Sequence, residues 1–588
     1  MKFVALVSGG KDSCFNILHC LAQGHQLVAL ANLYPSQEGV EEIDSFMFQT
    51  VGHNILNLYE ECTNVPLYRI PIRGFNKNSS LQYSKTDNDE TEDLFGLLSL
   101  VLKNHPDVQA VSSGAILSSY QRIRVEDCCT RLSLISLAYL WNRDQYNLMN
   151  EMQSISDSFD ARILKVAAIG LNQNHLGLPL NKMFPKLIDL NRKFEVHICG
   201  EGGEFETIVL DTPFFKDKKI IIQNQEIIKH SNDDVYYLLL DVKTQDKKID
   251  YDIKHKPIDY NLDYWRSFIT IPNLFKPKFY DIFKDLCNLP NNELDDNLIQ
   301  NLNTDSEILP YDYNFEYKLL HIGNKLFISN LTSNKPSLID QTNEIFQNLL
   351  SILSQRNLST ENIVSTTLLL NSMNNFQKIN SIYQSFFLKP LPPARVCIET
   401  NLPKSNELML SCVILSDLNK KLGLHIQSRS YWAPQNIGPY SQSNYDNENY
   451  IATLAGQIPL IPSIMELPTV DNLNELDINS NSDNTSRKSL DNDDINRIST
   501  VLSLQHLDNV INAINYKIFA NVVCYTNNGN TFLRLIINTW KSYVAKTTTQ
   551  MQNKTTTDLL KRLLVVEVSL LPKDSCVEWG GLSFQEYI

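Results

Sequence analysis

The sequence predicts an α/β fold, a doubly wound parallel sheet followed by two smaller α+β modules. Three observations carry this. An apolar run from Phe3 to Val7 is broken by Ser8-Gly9-Gly10 and followed by Cys14, Ile17, Leu18 and Leu21 at helical spacing, then by a second apolar run, Leu27 to Leu33. That order is the strand-turn-helix-strand unit of a parallel sheet. Further apolar runs at Leu67 to Ile72, Val108 to Ser112, Ile163 to Ile169 and Phe194 to Cys199, with helical stretches between them, extend the sheet through residues 1–230. Past a polar stretch, helix-plus-strand segments recur in two blocks, each closing on an apolar strand, Leu408 to Leu415 and Leu563 to Leu570.

The chain has 588 residues, more than one hydrophobic core serves at roughly 150 residues per domain. The expected division is a first domain over 1–230, a linker over 231–259, one module over 260–420 and a second over 428–588. Residues 76–93 and 471–494 are rich in Asn, Asp and Ser without apolar periodicity, and are expected to be mobile surface insertions. A net charge of -14 disfavours a polyphosphate partner and favours a small substrate or a basic protein. The 11 cysteines are scattered without a C-x-x-C pair, which predicts reduced thiols in the cytosol. No signal peptide and no apolar stretch of ~20 residues is present, so the expected location is cytoplasmic, with no membrane and no direct nucleic-acid partner.

Ser8-Gly9-Gly10-Lys11-Asp12-Ser13 lies between a predicted strand and a predicted helix. The glycines let backbone approach an anion, and the helix N-terminus favours negative charge there. Ser8, Lys11 and Ser13 add donors. A Walker A loop would need Gly at position 5 and Ser or Thr after the lysine, where this chain has Ala5 and Asp12. Two further motifs follow predicted strands: Ser113-Gly114-Ala115-Ile116-Leu117-Ser118-Ser119-Tyr120-Gln121-Arg122-Ile123-Arg124, and Gly200-Glu201-Gly202-Gly203-Glu204-Phe205-Glu206-Thr207. Loops at the carboxyl ends of parallel strands gather along one edge, so all three are expected to converge on one cleft. Glu201, Glu204 and Glu206 beside flexible glycines suit binding a cationic nucleophile precursor, whose proton a carboxylate could accept, or a metal, and a solvated acidic turn has the same composition. Arg122 and Arg124 are candidates for clamping phosphate or a carboxylate, and equally for surface ion pairs. His53 is a weaker candidate contact.

The hexapeptide resembles the PP-loop, S-G-G-x-D-S, of the adenine nucleotide alpha hydrolase superfamily, which implies a Rossmann-like domain cleaving ATP between its α and β phosphates. Together with Phe48-Gln49-Thr50-Val51-Gly52-His53, Leu137-Ala138-Tyr139-Leu140-Trp141 and Gly170-Leu171 to Gly177, the three motifs resemble the diphthine–ammonia ligase family over roughly residues 1–215. Tyr139 departs from the family pattern, which has proline there. The resemblance implies that ATP and Mg²⁺ are used and that a carboxylate is activated as an acyl-adenylate and amidated by ammonium. Its implied acceptor is the diphthine side chain of translation elongation factor 2. It implies ATP and pyrophosphate contacts from Ser8, Gly9, Gly10, Lys11, Asp12, Ser13, Gly114, Ala115 and Ile116. Substrate contacts are expected from Tyr120, Arg122, Arg124, Gly202, Gly203, Thr207 and His53. Catalysis is assigned to Asp12, Lys11, Glu201, Glu204 and Glu206, with Asp12 the metal candidate and Lys11 a mobile cation on the departing pyrophosphate.

In the second half, Tyr431 to Gln442 and Leu454-Ala455-Gly456-Gln457-Ile458-Pro459 resemble the opening of the YjgF/RidA imine deaminase family, while Pro392-Pro393-Ala394-Arg395-Val396 resembles its ending. Each block lacks what the other keeps. A composite site is therefore expected in which Arg395 meets Tyr440 and Ser441. A deaminase supplying ammonia and a degenerate docking module both fit, with docking preferred because likeness of fold does not establish activity. Two rivals for the whole chain are a PP-loop tRNA-modifying enzyme, which should show a basic face or paired catalytic cysteines, and a non-catalytic nucleotide sensor.

Overall fold

The computed structural model describes residues 1–36, 45, 47–230, 234–247, 261–289, 316–403, 405–448, 451–475, 490–516, 518–547 and 559–584. Two compact units result, one of residues 1–272 with 427–432, the other of 273–426 with 433–588.

The first unit is built on a six-stranded sheet. Strands β1 (Lys2–Leu6), β2 (Gln26–Pro35), β3 (Leu67–Ile72), β4 (Ala110–Ser112) and β5 (Ile135–Leu137) are joined at the edge by β16 (Ser428–Arg429), in the order β16-β5-β4-β1-β2-β3 and all parallel. Phe3, Val4 and Ala5 of β1 are completely buried, as a parallel strand covered on both faces must be. The helix Lys11–Ala22 lies buried along nearly its whole length. Its Asn16 donates to Ser112 Oγ at 2.7 Å and to the Leu137 carbonyl at 2.9 Å, fastening the helix to β4 and β5.

A second sheet in this unit is antiparallel. It comprises β6 (Asp160–Val166), β7 (Phe205–Asp211), β8 (Lys218–His230) and β9 (Val235–Asp246), ordered β7-β6-β9-β8. This corrects the sequence reading in three places. The run expected at 163–169 is β6, in the antiparallel sheet and not the doubly wound one. Residues 194–199 form no strand: a helix runs to Phe194 and Glu195 turns into the left-handed region at φ 58°. The expected linker contains β9, and the first unit extends to Pro272; residues 231–233 and 248–259 of that linker lie outside the described residues.

Residues 76–89 are a packed loop where a mobile insertion was expected. Tyr83 is buried, and Arg124 donates to the carbonyls of Asn78 and Ser80. Asp89 closes the loop by capping the helix Glu90–Asn104, accepting from Thr91 N at 3.0 Å while its other oxygen accepts from Lys77 N and Asn78 N. Asp89→Ala is expected to cost about 1–2 kcal/mol, readable as a lower denaturant midpoint of the first unit.

The return segment 427–432 is stitched into this unit by polar contacts. Glu126, buried, accepts from Arg122 at 2.6 Å, from Ser428 Oγ at 2.7 Å and from Gln427 N at 3.1 Å. Tyr431 OH lies 3.1 Å from His19 Nδ1, accepts from Gln23 at 3.2 Å, and its ring packs 5.1 Å from that of Tyr139.

The second unit holds two sheets of one plan. In the first, β10 (Lys318–Ile322), β11 (Lys325–Leu331), β12 (Ile363–Leu370), β13 (Ala394–Glu399) and β14 (Leu408–Leu415) run β10-β11-β14-β12-β13. The second has β15 (Lys421–Leu424), β17 (Ser443–Asp446), β18 (Ile451–Gln457), β19 (Ile518–Thr526), β20 (Leu563–Glu567) and β21 (Val577–Phe584), ordered β15-β17-β18-β21-β19-β20. Matching the pairings makes β20 the counterpart of β13 and β21 that of β14, so the second module closes on β21 and not on 563–570. The helix Pro277–Asn288, expected in the first module, buries Phe279, Ile282 and Leu286 in the core of the second with Trp540 and Tyr543. Of the insertion expected at 471–494, residues 476–489 lie outside the described residues, and its end is helical from Asn492 with Asp491 as cap.

Candidate active site

At the carboxyl edge of the parallel sheet lies a cleft of about 550 Å³, lined among others by Ser8, Lys11, Asp12, Ser13, Gly114, Ala115, Tyr120, Glu201, Gly202, Gly203, Glu206 and Thr207. Its floor is the β1-to-helix turn. Gly9 sits at φ 85°, a left-handed conformation suited to glycine. The turn is held by β7: Lys11 N donates to Thr207 Oγ1 at 2.9 Å, and Val209 N donates to the Gly9 carbonyl at 2.8 Å. Gln49 reaches the Thr207 carbonyl at 3.0 Å and borders the same cleft.

Lys11 is fixed where a mobile cation was expected. Its side chain is 3% exposed, donates to Asp12 Oδ2 at 2.7 Å and to the Cys199 carbonyl, and lies 5.2 Å from the Phe205 ring centre. Burial works against its charge, but Asp12 and the surrounding acceptors hold its pKa above the ordinary lysine value. Burial pushes the Asp12 carboxyl up while Lys11 pulls it back. Asp12 Oδ1 is buried with no hydrogen-bond donor, an oxygen that fits a divalent cation shared with bound phosphates. Among the described residues, no group of three or more His, Cys, Asp or Glu side chains is arranged to hold a metal alone.

The acidic loop precedes β7 of the antiparallel sheet; it does not follow a parallel strand. Its three glutamates are unequal. Glu201 lines the cleft, and its carboxylate accepts from Ile116 N at 3.2 Å, Leu117 N at 3.1 Å and Ser118 N at 3.3 Å. Glu204 is turned into its own loop, accepting from His197 N at 2.8 Å and Gly202 N at 2.7 Å, and is not among the cleft-lining residues. Glu206 lines the cleft with an ion pair to Lys165 at 3.4 Å.

Three expected substrate contacts lie elsewhere. Arg122 is buried against Glu126 and over the Trp141 ring at 4.8 Å. Arg124 is completely buried beneath Tyr120 and Tyr83, holding the 76–86 loop. His53 packs on Tyr34 and lies 3.2 Å from Arg69. The two arginines are two positions apart and leave the helix on different sides, and each is buried by its own neighbours, Arg122 by Glu126 and Trp141, Arg124 by Tyr120, Tyr83 and the carbonyls of Asn78 and Ser80. Sequence reasoning missed Asn32, Phe48, Gln49 and Gln121 as cleft residues; Asn32 lies within β2, one residue past Ala31, which pairs with the last residue of β1, so it borders the cleft without ending its own strand.

In the second unit, the Arg395 guanidinium lies 5.2 Å from the Tyr440 ring centre and 4.8 Å from that of Tyr383, and donates to Asn380 at 2.7 Å. Ser441 is spent differently: its hydroxyl donates to the Pro392 carbonyl at 2.6 Å, pinning one module to the other. Sequence reasoning also missed Glu578, 3% exposed on β21. Burial pushes its carboxyl up to about 8 against the opposing pull of Arg395. A carboxyl whose folded pKa exceeds its unfolded value stabilises fully below the unfolded pKa, near 4.5, and that contribution is lost as pH rises towards about 8. Glu578→Gln is expected to flatten this decline, measured as the opening free energy of β21 amides by hydrogen exchange between pH 5 and 9.

A glycine-rich turn opening a helix at the carboxyl edge of a parallel sheet, its lysine buried against an acidic loop in the same cleft, defines a nucleotide-using α/β enzyme. Residues 1–136 match the diphthamide synthase N-terminal domain, residues 147–243 the diphthamide synthase C-terminal domain, and residues 325–409 the endoribonuclease L-PSP family. A diphthine–ammonia ligase of Saccharomyces cerevisiae is 39% identical over 622 aligned positions, covering 100% of this chain and 84% of its own. The Schizosaccharomyces pombe protein of the same name is 37% identical over 98% of this chain and 87% of its own. The Homo sapiens one is 52% identical but covers 42% of this chain and 94% of its own. The chain belongs to the diphthine–ammonia ligase family, ATP-dependent ligases that form a C–N bond, and carries a RidA/L-PSP module in its second half. Among the described residues none of its 11 cysteines is in a disulfide, and no helix is long and apolar enough to cross a membrane.

Proposed function

We propose that this protein amidates the diphthine carboxylate of translation elongation factor 2 with ammonium in the cytoplasm, through an acyl-adenylate, releasing pyrophosphate and then AMP. The observation that carries the reading is the single cleft in which Lys11, Asp12 and Glu206 meet. A carboxylate oxygen is a poor leaving group, and adenylation replaces it with AMP. The phosphate-loop amides and the fixed Lys11 ammonium would stabilise charge on the departing pyrophosphate; each such preorganised donor is worth about 2.7–4 kcal/mol. Asp12 would hold Mg²⁺ through Oδ1, the ion neutralising phosphate charge. Glu206, which lines the same cleft as Lys11 and Asp12 and is paired with Lys165, would take the ammonium proton, whereas Glu204 is turned into its own loop and Glu201 binds three backbone amides of the loop after β4. Gly202, Gly203, Thr207 and Tyr120 would face the acceptor side chain.

Purified protein with ATP, ammonium and diphthine-bearing elongation factor 2 should yield AMP and shift the acceptor mass from carboxylate to amide, both lost in Asp12→Ala. ATP binding without either product would favour a nucleotide sensor.

The second unit reads as a docking module, because the Arg395 guanidinium, only 4% exposed as a residue, is already engaged by Asn380 and enclosed by aromatic rings. Enamine turnover by the full chain that disappears in Arg395→Ala would overturn that preference.

A further inference from the structure

Two loops border the cleft on either side of the phosphate turn, and one side chain ties them together. The loop after β4 lies directly on the phosphate turn: a Cβ on Gly114 would stand 2.5 Å from Ser13 N and 2.6 Å from the Asp12 carbonyl carbon, so only glycine permits this approach. Its other side is held by Glu201 through the amides of Ile116, Leu117 and Ser118. Two residues before Glu201, the Cys199 carbonyl receives the Lys11 ammonium. The acidic loop thus spans from the phosphate-turn lysine to the loop after β4. It is stiffened by Glu204, which accepts from two of its amides, and by His197 Nδ1, which accepts from Cys199 N at 3.2 Å.

We propose that Glu201 is a positioning residue for ATP: by holding the 113–118 loop against the phosphate turn, it sets the spacing that a bound nucleoside triphosphate must span. The inference rests on the ligase reading only in taking ATP as the occupant of the cleft. A carboxylate accepting three amide hydrogens holds its loop through charge-assisted bonds, and the same bonds keep Glu201 from serving as the base for ammonium.

The test is equilibrium binding of ATP with Mg²⁺ to the full-length protein, alongside steady-state KM values. Glu201→Ala is expected to weaken ATP binding about tenfold or more and to raise KM for ATP, leaving KM for ammonium unchanged. Glu201→Gln, which keeps one acceptor oxygen, should recover most of the affinity, and Glu206→Gln should bind ATP like the wild type. Gly114→Ala, with Glu201 intact, should reproduce the loss and guards against a Glu201→Ala chain that does not fold. Wild-type ATP affinity in Glu201→Ala with lost ammonium-dependent turnover would make Glu201 the base and overturn the proposal. Unchanged binding and turnover would overturn it as well. A wild-type protein that binds ATP but forms no amide would sink the ligase reading alone, because the binding comparison still decides the role of Glu201.

Discussion

With Lys11 replaced by methionine, acceptor-dependent pyrophosphate release is expected to fall on the order of 10²–10³-fold. Methionine fills nearly the same volume, so the change removes charge and donors more than packing. The lysine sits 3% exposed between Asp12 and the Cys199 carbonyl, where a donor needs no rearrangement as charge develops. Breaking a buried ion pair ordinarily costs about 3–5 kcal/mol. Here the cost should be smaller, because the Asp12 side chain is 27% exposed and keeps water when the lysine is removed. Low turnover with a nearly unchanged unfolding midpoint is therefore the expected pair of results. A loss under about tenfold would show that the backbone amides carry the pyrophosphate without the lysine.

The largest stability effect is expected from cutting the chain after Pro272. The fragment 1–272 loses β16 from the sheet edge, two donors to the buried Glu126, and the Tyr431 hydroxyl beside His19. Bonds to a buried charge contribute about 1.5–3 kcal/mol each, so the total approaches the ~5–15 kcal/mol by which a typical domain is stable. Urea unfolding of the fragment should show a markedly lower midpoint than the first unit of the full chain. Fusing residues 427–432 to the fragment through a flexible linker should restore most of it. An unshifted midpoint would mean that the returning segment adds nothing.

How much of this was legible depends on how local each signal is. The β1-turn-helix unit could be read because strand, glycines and helix are contiguous and each residue type acts on its own neighbours. The antiparallel sheet could not, since the apolar run in β6 gives no sign of the direction of its partner. The roles of the glutamates were equally hidden: nothing near Glu201 announces that its acceptors are engaged by the amides of Ile116, Leu117 and Ser118. Arg122 and Arg124 were named for their chemistry, whereas burial against Glu126, Trp141, Tyr120 and Tyr83 decides what they do. β16, at two residues, is too short to have any periodicity. The meeting of Arg395 with Tyr440 was foreseen from motifs split between the modules, while Glu578, one acidic residue in an apolar strand, offered no comparable pattern.

The returning strand also sets an order of biosynthesis. The sheet begun by β1 keeps β5 as an open edge until residue 429 has been made. Residues 273–426 must be synthesised in between. At ~5–20 residues per second, that is a wait on the order of ten seconds. For that interval the nascent chain carries a parallel sheet whose edge can accept a foreign strand, so translation speed across the first module is a determinant of how cleanly the ligase unit closes.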